Sequence, residues 1–298
     1  MVRRDWMKYW QLYLLVVPLI AYYVIWCYGP MYGIQIAFKN FTPRKGITGS
    51  DWVGWKNFIT FFNGAYAFRV IRNTFLINFY NLIFGFPLPI VFALMLTEIR
   101  RKYFKRTVQT ITYLPYFISL VIICGIIRDF GASDGVFGYI ATLFGQTPVN
   151  ILGDEKYFRT VYVTSEIWQF LGWNSILFMS TLTTINPELF EAATIDGAGR
   201  LKQIWHVSLP GILPTIAILL VLRVGSMMSL GFEKVILLYN PVVYETADVI
   251  SSFVYRKGII DADFGYATAV GLFNSVVNFI LVIAANKASS SLAETSLW

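Results

Sequence analysis

The sequence predicts an all-α membrane protein with six transmembrane helices, and three observations carry that reading. Of 298 residues, 56% are hydrophobic and only 14% charged, against about 25% charged in an average soluble domain. Mean hydropathy is +0.59. Surface-to-volume scaling leaves a large share of any folded chain exposed, so this much apolar surface cannot all hide from water. Six runs of about 20 residues, the length that crosses hydrocarbon as a helix, carry one charge or none. Each must be helical, because an open strand edge in lipid leaves backbone groups without partners. The same composition excludes intrinsic disorder. The two cysteines, Cys27 and Cys124, supply neither a disulfide framework nor a thiolate metal site and are read as membrane-core residues.

The first span, residues 10–28, follows the basic start Arg3, Arg4 and Lys8, which a secretory signal would share. It ends in Trp26, Cys27, Tyr28, Gly29 and Pro30, an aromatic belt rather than a small-residue cleavage site, and is read as a retained first helix. Spans two and three, residues 73–97 and 107–127, contain no Asp, Glu, Lys or Arg. Between them, Glu98 to Arg106 holds Arg100, Arg101, Lys102, Lys105 and Arg106 in nine residues. That density assigns the short loop, and the N-terminal tail two crossings away, to the cytoplasm. The longer loop 31–72 also carries Lys39, Arg44, Lys45, Lys56, Arg69 and Arg72, so the total of positive charges does not discriminate and the short loop decides.

Span four, residues 164–187, is charge-free after Glu166; span five, residues 211–232, is interrupted only by Arg223; span six, residues 264–286, is charge-free. Alternation then places 188–206 and both chain ends in the cytoplasm, and 31–72, 128–159 and 233–263 outside. Residues 1–298 form a single transmembrane domain on this reading. The net charge of +7 and pI near 9.3 come from orientation signals set between apolar blocks, not from a basic face with interleaved aromatics, so no nucleic-acid partner is expected.

The segment between spans four and five reads Glu191, Ala192, Ala193, Thr194, Ile195, Asp196, Gly197, Ala198 and runs on to Val207, Ser208, Leu209, Pro210. Asn186 and Pro187 suit a helix start, Glu188 and Glu191 favour its N-terminal end, and Ala192 and Ala193 let a partner surface come close. Gly197 permits the turn that ends the short helix. The result is a rigid knob beneath the membrane; the other reading of such a segment is a loop helix lying on the bilayer.

These residues resemble the EAA loop of binding-protein-dependent ABC importer permeases, whose pattern is E-A-A, three residues, Gly, nine residues, then I-x-L-P. Every fixed position agrees except that Val207 replaces isoleucine. The likeness extends over spans two to six. The phrases Ile167, Trp168, Gln169; Asp248, Val249, Ile250; and Tyr266 to Phe273 resemble permeases for oligo- and polysaccharides, including uronate polymers such as alginate.

The resemblance implies the type I importer permease fold in the cell inner membrane. It makes loop 188–210 the coupling element, with Glu191, Ala192, Ala193, Asp196, Gly197, Ala198, Leu209 and Pro210 facing an ATP-hydrolysing subunit. It also implies a second permease subunit, two ATPase subunits, an extracytoplasmic solute-binding protein and a carbohydrate substrate moved by alternating access. No G-x-x-x-x-G-K-[ST] phosphate loop occurs in the chain. This chain therefore carries no cofactor and no catalytic residue, and ATP and Mg belong to the partner ATPase.

Arg223 is the most informative residue inside a span. Ten residues beyond Leu213, at about 1.5 Å each, put it ~15 Å deep, near the midplane. A charge there faces protein or a water-filled cavity. Two readings stay open: contact with a sugar hydroxyl or carboxylate, and an anchor to helix-end carbonyls. Trp168 and Trp173 offer apolar faces to sugar rings, and Gln169, Asn174, Asn274 and Asn278 offer polar groups, with inter-helix hydrogen bonding as the competing role. Met227 and Met228 are read as core filling. His206 has no carboxylate or second histidine at ligand spacing, so no metal site is expected.

Outside, 245–257 is expected to form an amphipathic helix near the interface, with Val249, Ile250, Phe253 and Val254 on one side. Tyr244, Arg256 and Lys257 there, and Lys39, Trp52, Trp55 and Lys56 in the first long loop, are candidates for docking the binding protein. An import permease for acidic oligo- or polysaccharide is the leading expectation. Alternatives are a permease for neutral oligosaccharides, and a secondary transporter or channel acting without an ATPase. An intramembrane enzyme would need a nucleophile and base, or metal ligands, which one histidine and scattered carboxylates do not supply.

Overall fold

Prolines shape the long helices. A proline lacks the N–H of the helical ladder and its ring crowds the carbonyl four residues back; Pro18 and Pro214 sit inside helices all the same, but ahead of some others the turn widens. Three widened turns do this here, Tyr23–Tyr28 before Pro30, Asn81–Gly85 before Pro87, and Ile204–Ser208 before Pro210. At each, the residue before the proline donates its N–H five residues back: Gly29 to Val24, Phe86 to Asn81 and Leu209 to Ile204. The helices thereby stay continuous through their prolines.

The computed structural model describes residues 2–145, 147–148 and 150–293; the side chains of Arg3, Arg4 and Lys8, the basic start of the first span, lie outside what it describes. Among those described, four helices are long and apolar enough to cross a bilayer: Tyr9–Phe38, Ala67–Glu98, Arg200–Gly225 and Phe264–Ser289. The expected bounds of the spans are corrected at three places. The third expected span is broken into Lys102–Phe117 and Leu120–Leu143, which meet at 99°. Pro115 tightens the turn Leu114–Phe117, Ile118 is extended, and Ser119 Oγ caps the second helix by accepting the Ile122 N–H at 3.4 Å.

Residues 164–183 of the fourth expected span lie in the 29-residue helix Glu155–Thr183, while Asn186 and Pro187 already open the next helix. That helix carries Glu155, Lys156, Arg159 and Glu166 and buries Phe158, Tyr162, Ser165, Gln169, Gly172, Ser175 and Phe178 against protein. A helix wrapped by other helices need not be as apolar as one facing lipid. The fifth span is shifted: its helix starts at Arg200, so residues 200–210 of the expected loop are helical, and it ends at Gly225 rather than 232. A separate short helix follows at Phe232–Leu238.

The chain divides into two compact units. In the unit Ala65–Phe253 with Phe273–Trp298, helix Glu155–Thr183 is the central post. Gly172 lets it approach the neighbouring helix Lys102–Tyr113, because a Cβ there would sit 2.4 Å from the Thr112 carbonyl oxygen. One apolar cluster gathers Ile77, Cys124, Phe158, Tyr162, Val235 and Leu238, and another Ile90, Leu94, Phe178, Leu182 and Ile212. Met227 and Met228 are buried, as expected of core filling.

The expectation of an interfacial amphipathic helix at 245–257 is overturned. Val249, Ile250 and Phe253 are buried in protein, and so is Asp248. Thr74 Oγ1 accepts the Ile250 N–H at 2.9 Å, and Arg69 Nη2 meets the Asp248 carboxylate at 3.2 Å. A buried carboxylate must find its cation inside the fold, and that pairing holds the segment inward.

The unit Met1–Gly64 with Val254–Leu272 contains the first helix and a small aromatic platform. A two-residue antiparallel pairing sets Lys39 opposite Trp52 and Asn40 opposite Asp51. Phe38 stacks on Trp52 with centroids 5.5 Å apart and meets Trp55 edge-on at 5.3 Å. Asn57 Nδ2 donates to the Ala37 and Lys39 carbonyls at 2.9 and 3.2 Å. Leu15 and Trp26 of the first helix are exposed, as are most of its large apolar side chains, a face that suits lipid.

Candidate functional site

The short helix Pro187–Ile195 is built from its own sequence. Asn186 Oδ1 accepts the Glu188 N–H at 3.1 Å and Asn186 Nδ2 donates to the Glu188 carboxylate at 3.0 Å. At the other end Ala198 N–H reaches back to the Ala193 carbonyl at 2.8 Å and Gly197 N–H to Thr194 at 3.0 Å, the paired bonds of a Schellman cap. Gly197 sits at φ +76°, where an L side chain is strained although nothing lies within 4 Å of a Cβ placed there. The helix buries none of its residues. Glu191, Ala192, Asp196 and Gly197 are exposed, Ala193 and Ala198 half-buried, and Ile195 is 86% exposed.

Leu209 packs at the edge of the second apolar cluster while Pro210 is exposed, so only Pro210 of that pair is open to a partner. Sequence reasoning missed Gln203. Its Nε2 donates to Thr194 Oγ1 at 2.9 Å and to the Ala198 carbonyl at 3.1 Å, tying the short helix to the start of the next one.

The second candidate site is a set of three cavities of about 530, 240 and 260 Å³. Arg223 and Asn81 line all three. Arg223 stands in the last turn of its helix, not midway along a span as expected; a cation is favoured there by the C-terminal end of the helix dipole. Among the described residues its guanidinium has no hydrogen-bond or ion-pair partner, so the anchor to helix-end carbonyls is not made. Asn81 reaches the cavities from the widened turn ahead of Pro87.

Trp173 and Asn174 line the cavity of about 530 Å³ beside Arg223. Tyr116 covers one face of Trp173, stacked at 4.1 Å and 3°. Gln169 lines the third cavity, and its Oε1 is buried without a partner. Other expected pathway residues are not brought there. Trp168 is 48% exposed and lines none of the three. Asn278 is committed to packing, its Oδ1 accepting the Met228 N–H at 2.9 Å and its Nδ2 donating to Ser229 Oγ at 2.8 Å. Asn274 also lies outside these walls, with Oδ1 buried and unpartnered.

A buried ion pair completes the cavity wall and was missed. Lys234 Nζ lies 2.7 Å from the Glu166 carboxylate and 4.8 Å from the Tyr162 ring centroid. The signals were Glu166 as the lone charge at the head of span four and Lys234 just past span five, but nothing in their spacing joins them.

The docking candidates divide. Lys39 is buried and its ammonium donates to the Ile47 carbonyl, so it is removed from the exposed set. Trp52 and Trp55 are 64% and 65% exposed, and Lys56 is exposed beside them. Lys257 pairs with Asp261 at 2.7 Å, Arg256 is half-buried, and Tyr244 is half-buried against Tyr239 at 4.9 Å.

Residues 85–291, which include the short helix and most of the cavity wall, match the family model described as "binding-protein-dependent transport system inner membrane component". The polygalacturonan/rhamnogalacturonan transport system permease protein YteP of Bacillus subtilis is 40% identical over 288 residues, covering 96% of this chain and 90% of that protein. Protein LplB of the same organism is 41% identical over 288 residues, covering 96% and 91%. Among solved structures, a chain of the bacterial alginate ABC transporter in complex with an alginate pentasaccharide-bound periplasmic protein superposes with a TM-score of 0.91. It is 41% identical and 99% of each chain is covered.

Proposed function

The chain belongs to the family of binding-protein-dependent transport system inner membrane components, and from that premise we propose that it is the permease subunit of an ATP-driven importer of acidic oligo- or polysaccharide. The observation that carries the substrate class is Arg223, a guanidinium without a hydrogen-bond or ion-pair partner among the described residues, on the walls of all three cavities. Guanidinium pairs bidentately with carboxylate, the group that every residue of a uronate polymer presents. Trp173 supports the same reading, since Tyr116 backs one of its faces and leaves an indole platform of the kind on which sugar rings stack. The similarity to permeases named for polygalacturonan and alginate points the same way.

The dense positive charge of the short loop 98–106 supports a cytoplasmic side for the helix Pro187–Ile195, and on this reading it meets an ATPase subunit through Glu191, Asp196 and Gly197. ATP and Mg are handled by that subunit, and this chain performs no chemistry. Closure of the ATPase pair moves the helix Arg200–Gly225 through the Gln203 tie, the cavity opens outward, and the solute-binding protein releases its sugar beside Arg223. A second permease subunit completes the pathway, and Trp52, Trp55 and Lys56 contact the binding protein.

The experiment that tests this is equilibrium binding of a labelled tetragalacturonide and its carboxyl-reduced counterpart to the assembled permease–ATPase complex in nanodiscs. Tighter binding of the tetrauronide is the expected result; equal binding of the two sugars overturns the acidic-substrate reading.

A further inference from the structure

We propose that Lys234 is a latent second carboxylate subsite of the cavity, masked by Glu166, and that this internal carboxylate sets how tightly an anionic sugar is held. The inference rests on the acidic-saccharide reading above and deepens it.

The Lys234 side chain is 5% exposed, so its charge needs a carboxylate beside it, and Glu166 supplies one at 2.7 Å. Buried ion pairs contribute little net stability, because desolvation offsets attraction, yet removing one partner alone is strongly unfavourable. One carboxylate can therefore replace another on Lys234 at small net cost, whereas a neutral group cannot. Glu166 is placed for such competition. Its side chain is 25% exposed and lines two of the three cavities, both shared with Arg223. Lys234 itself lines the cavity that also holds Asn78, Asn81 and Gln169. Gln169 is 5% exposed and its Oε1 is buried with no partner, an acceptor suited to a sugar hydroxyl.

A transport pathway must bind well enough to load and weakly enough to release. Two cations without carboxylates on the walls of one cavity would trap a polyanion. With Lys234 neutralised by Glu166, Arg223 is the one cation on these walls without a carboxylate, and a passing uronate competes with Glu166 for the second.

The test uses the same labelled tetragalacturonide and its carboxyl-reduced counterpart on the assembled complex in nanodiscs, with uptake into proteoliposomes measured alongside. Glu166→Gln unmasks Lys234: tetrauronide binding tightens by about tenfold, the scale of one hydrogen bond to a charged group, and the saturating uptake rate falls as release slows. Lys234→Gln leaves Glu166 unpaired, and tetrauronide binding weakens. The double variant returns both quantities towards the parent. Binding of the carboxyl-reduced sugar stays unchanged in all three.

Equal shifts for both sugars, or no shift for the tetrauronide in either single variant, overturn the proposal and leave the pair a structural one. Where Glu166→Gln does not assemble, the step from Lys234→Gln to the double variant decides: tetrauronide binding must recover when Glu166 is removed, and failure to recover overturns the proposal. A parent complex that binds the two sugars equally overturns the acidic-substrate reading itself. A parent preference for the tetrauronide that the three variants leave untouched overturns this inference alone.

Discussion

The helix Pro187–Ile195 and the cavity around Arg223 are assembled in opposite ways. The helix finds its cap, its stop and its tie within residues 186–203: Asn186 on Glu188, Ala198 on Ala193, Gln203 on Thr194. The cavities draw Asn81, the pair Glu166 and Trp173, Arg223 and Lys234 from four separate helices, and the ion pair on their walls joins residues 68 positions apart. The first is a rigid part shaped before any partner arrives. The second exists only when the whole unit Ala65–Phe253 with Phe273–Trp298 has packed. A local device transmits force because its geometry is independent of the rest, while a composite one can rearrange because each wall moves with a different helix.

The sharpest way to break this contrast is Gly197→Leu. At φ +76° a side chain strains the backbone by about 1–2 kcal/mol, too little to unfold the protein. Gly197 is exposed on the face proposed to meet the ATPase, so sugar-stimulated ATP hydrolysis and uptake are expected to fall to background while membrane insertion is unchanged. Normal stimulation in the assembled variant would remove Gly197 from the contact.

Arg223 comes next. Arg223→Met is expected to weaken tetrauronide binding by about 10- to 100-fold, the loss of a charged hydrogen-bonded contact. Arg223→Lys should fall between, since it keeps the charge and loses the planar fork. The melting temperature of the complex should stay at the parent value in both, because no protein partner is left behind. A clear drop in that temperature would identify an anchor instead and blur the line between cavity and scaffold.

The smallest effect is expected at Gln203→Ala, which loses two hydrogen bonds on a partly exposed surface, about 1 kcal/mol of local stability. Faster amide hydrogen exchange at Asp196, Gly197 and Ala198, with sugar binding at the cavity unchanged, would place Gln203 with the local device. Altered sugar binding would show that the two regions are not separable.

Legibility in the sequence followed the same division. The short helix was readable to the residue, since Asn186, Pro187 and Gly197 act within one or two turns. Four long apolar helices were readable from runs carrying one charge or none, though their ends were not. The widened turn Ile204–Ser208 carries the helix from Arg200 through Pro210, and Ser226 ends it six residues before the apolar run does. The 99° break at Ile118 and Ser119 escaped because periodicity does not register direction. At 245–257, an apolar stripe reads the same whether it meets lipid or protein, and the Arg69 to Asp248 pairing that draws it inward spans 179 positions.

By itself, the sequence determined that this chain lives in a bilayer and carries one exposed, capped helix between its fourth and fifth apolar segments. Both follow from short-range physics: transfer of apolar side chains, and backbone groups satisfied within a turn or two. Only the tertiary structure decided that Arg223 stands unpartnered on a cavity wall, that Lys39 is spent on a carbonyl within its own loop, and that Glu166 faces Lys234. A charge in a low-dielectric interior takes its meaning from whatever lies within a few ångströms, and for residues far apart in the chain that distance is set by how the helices pack.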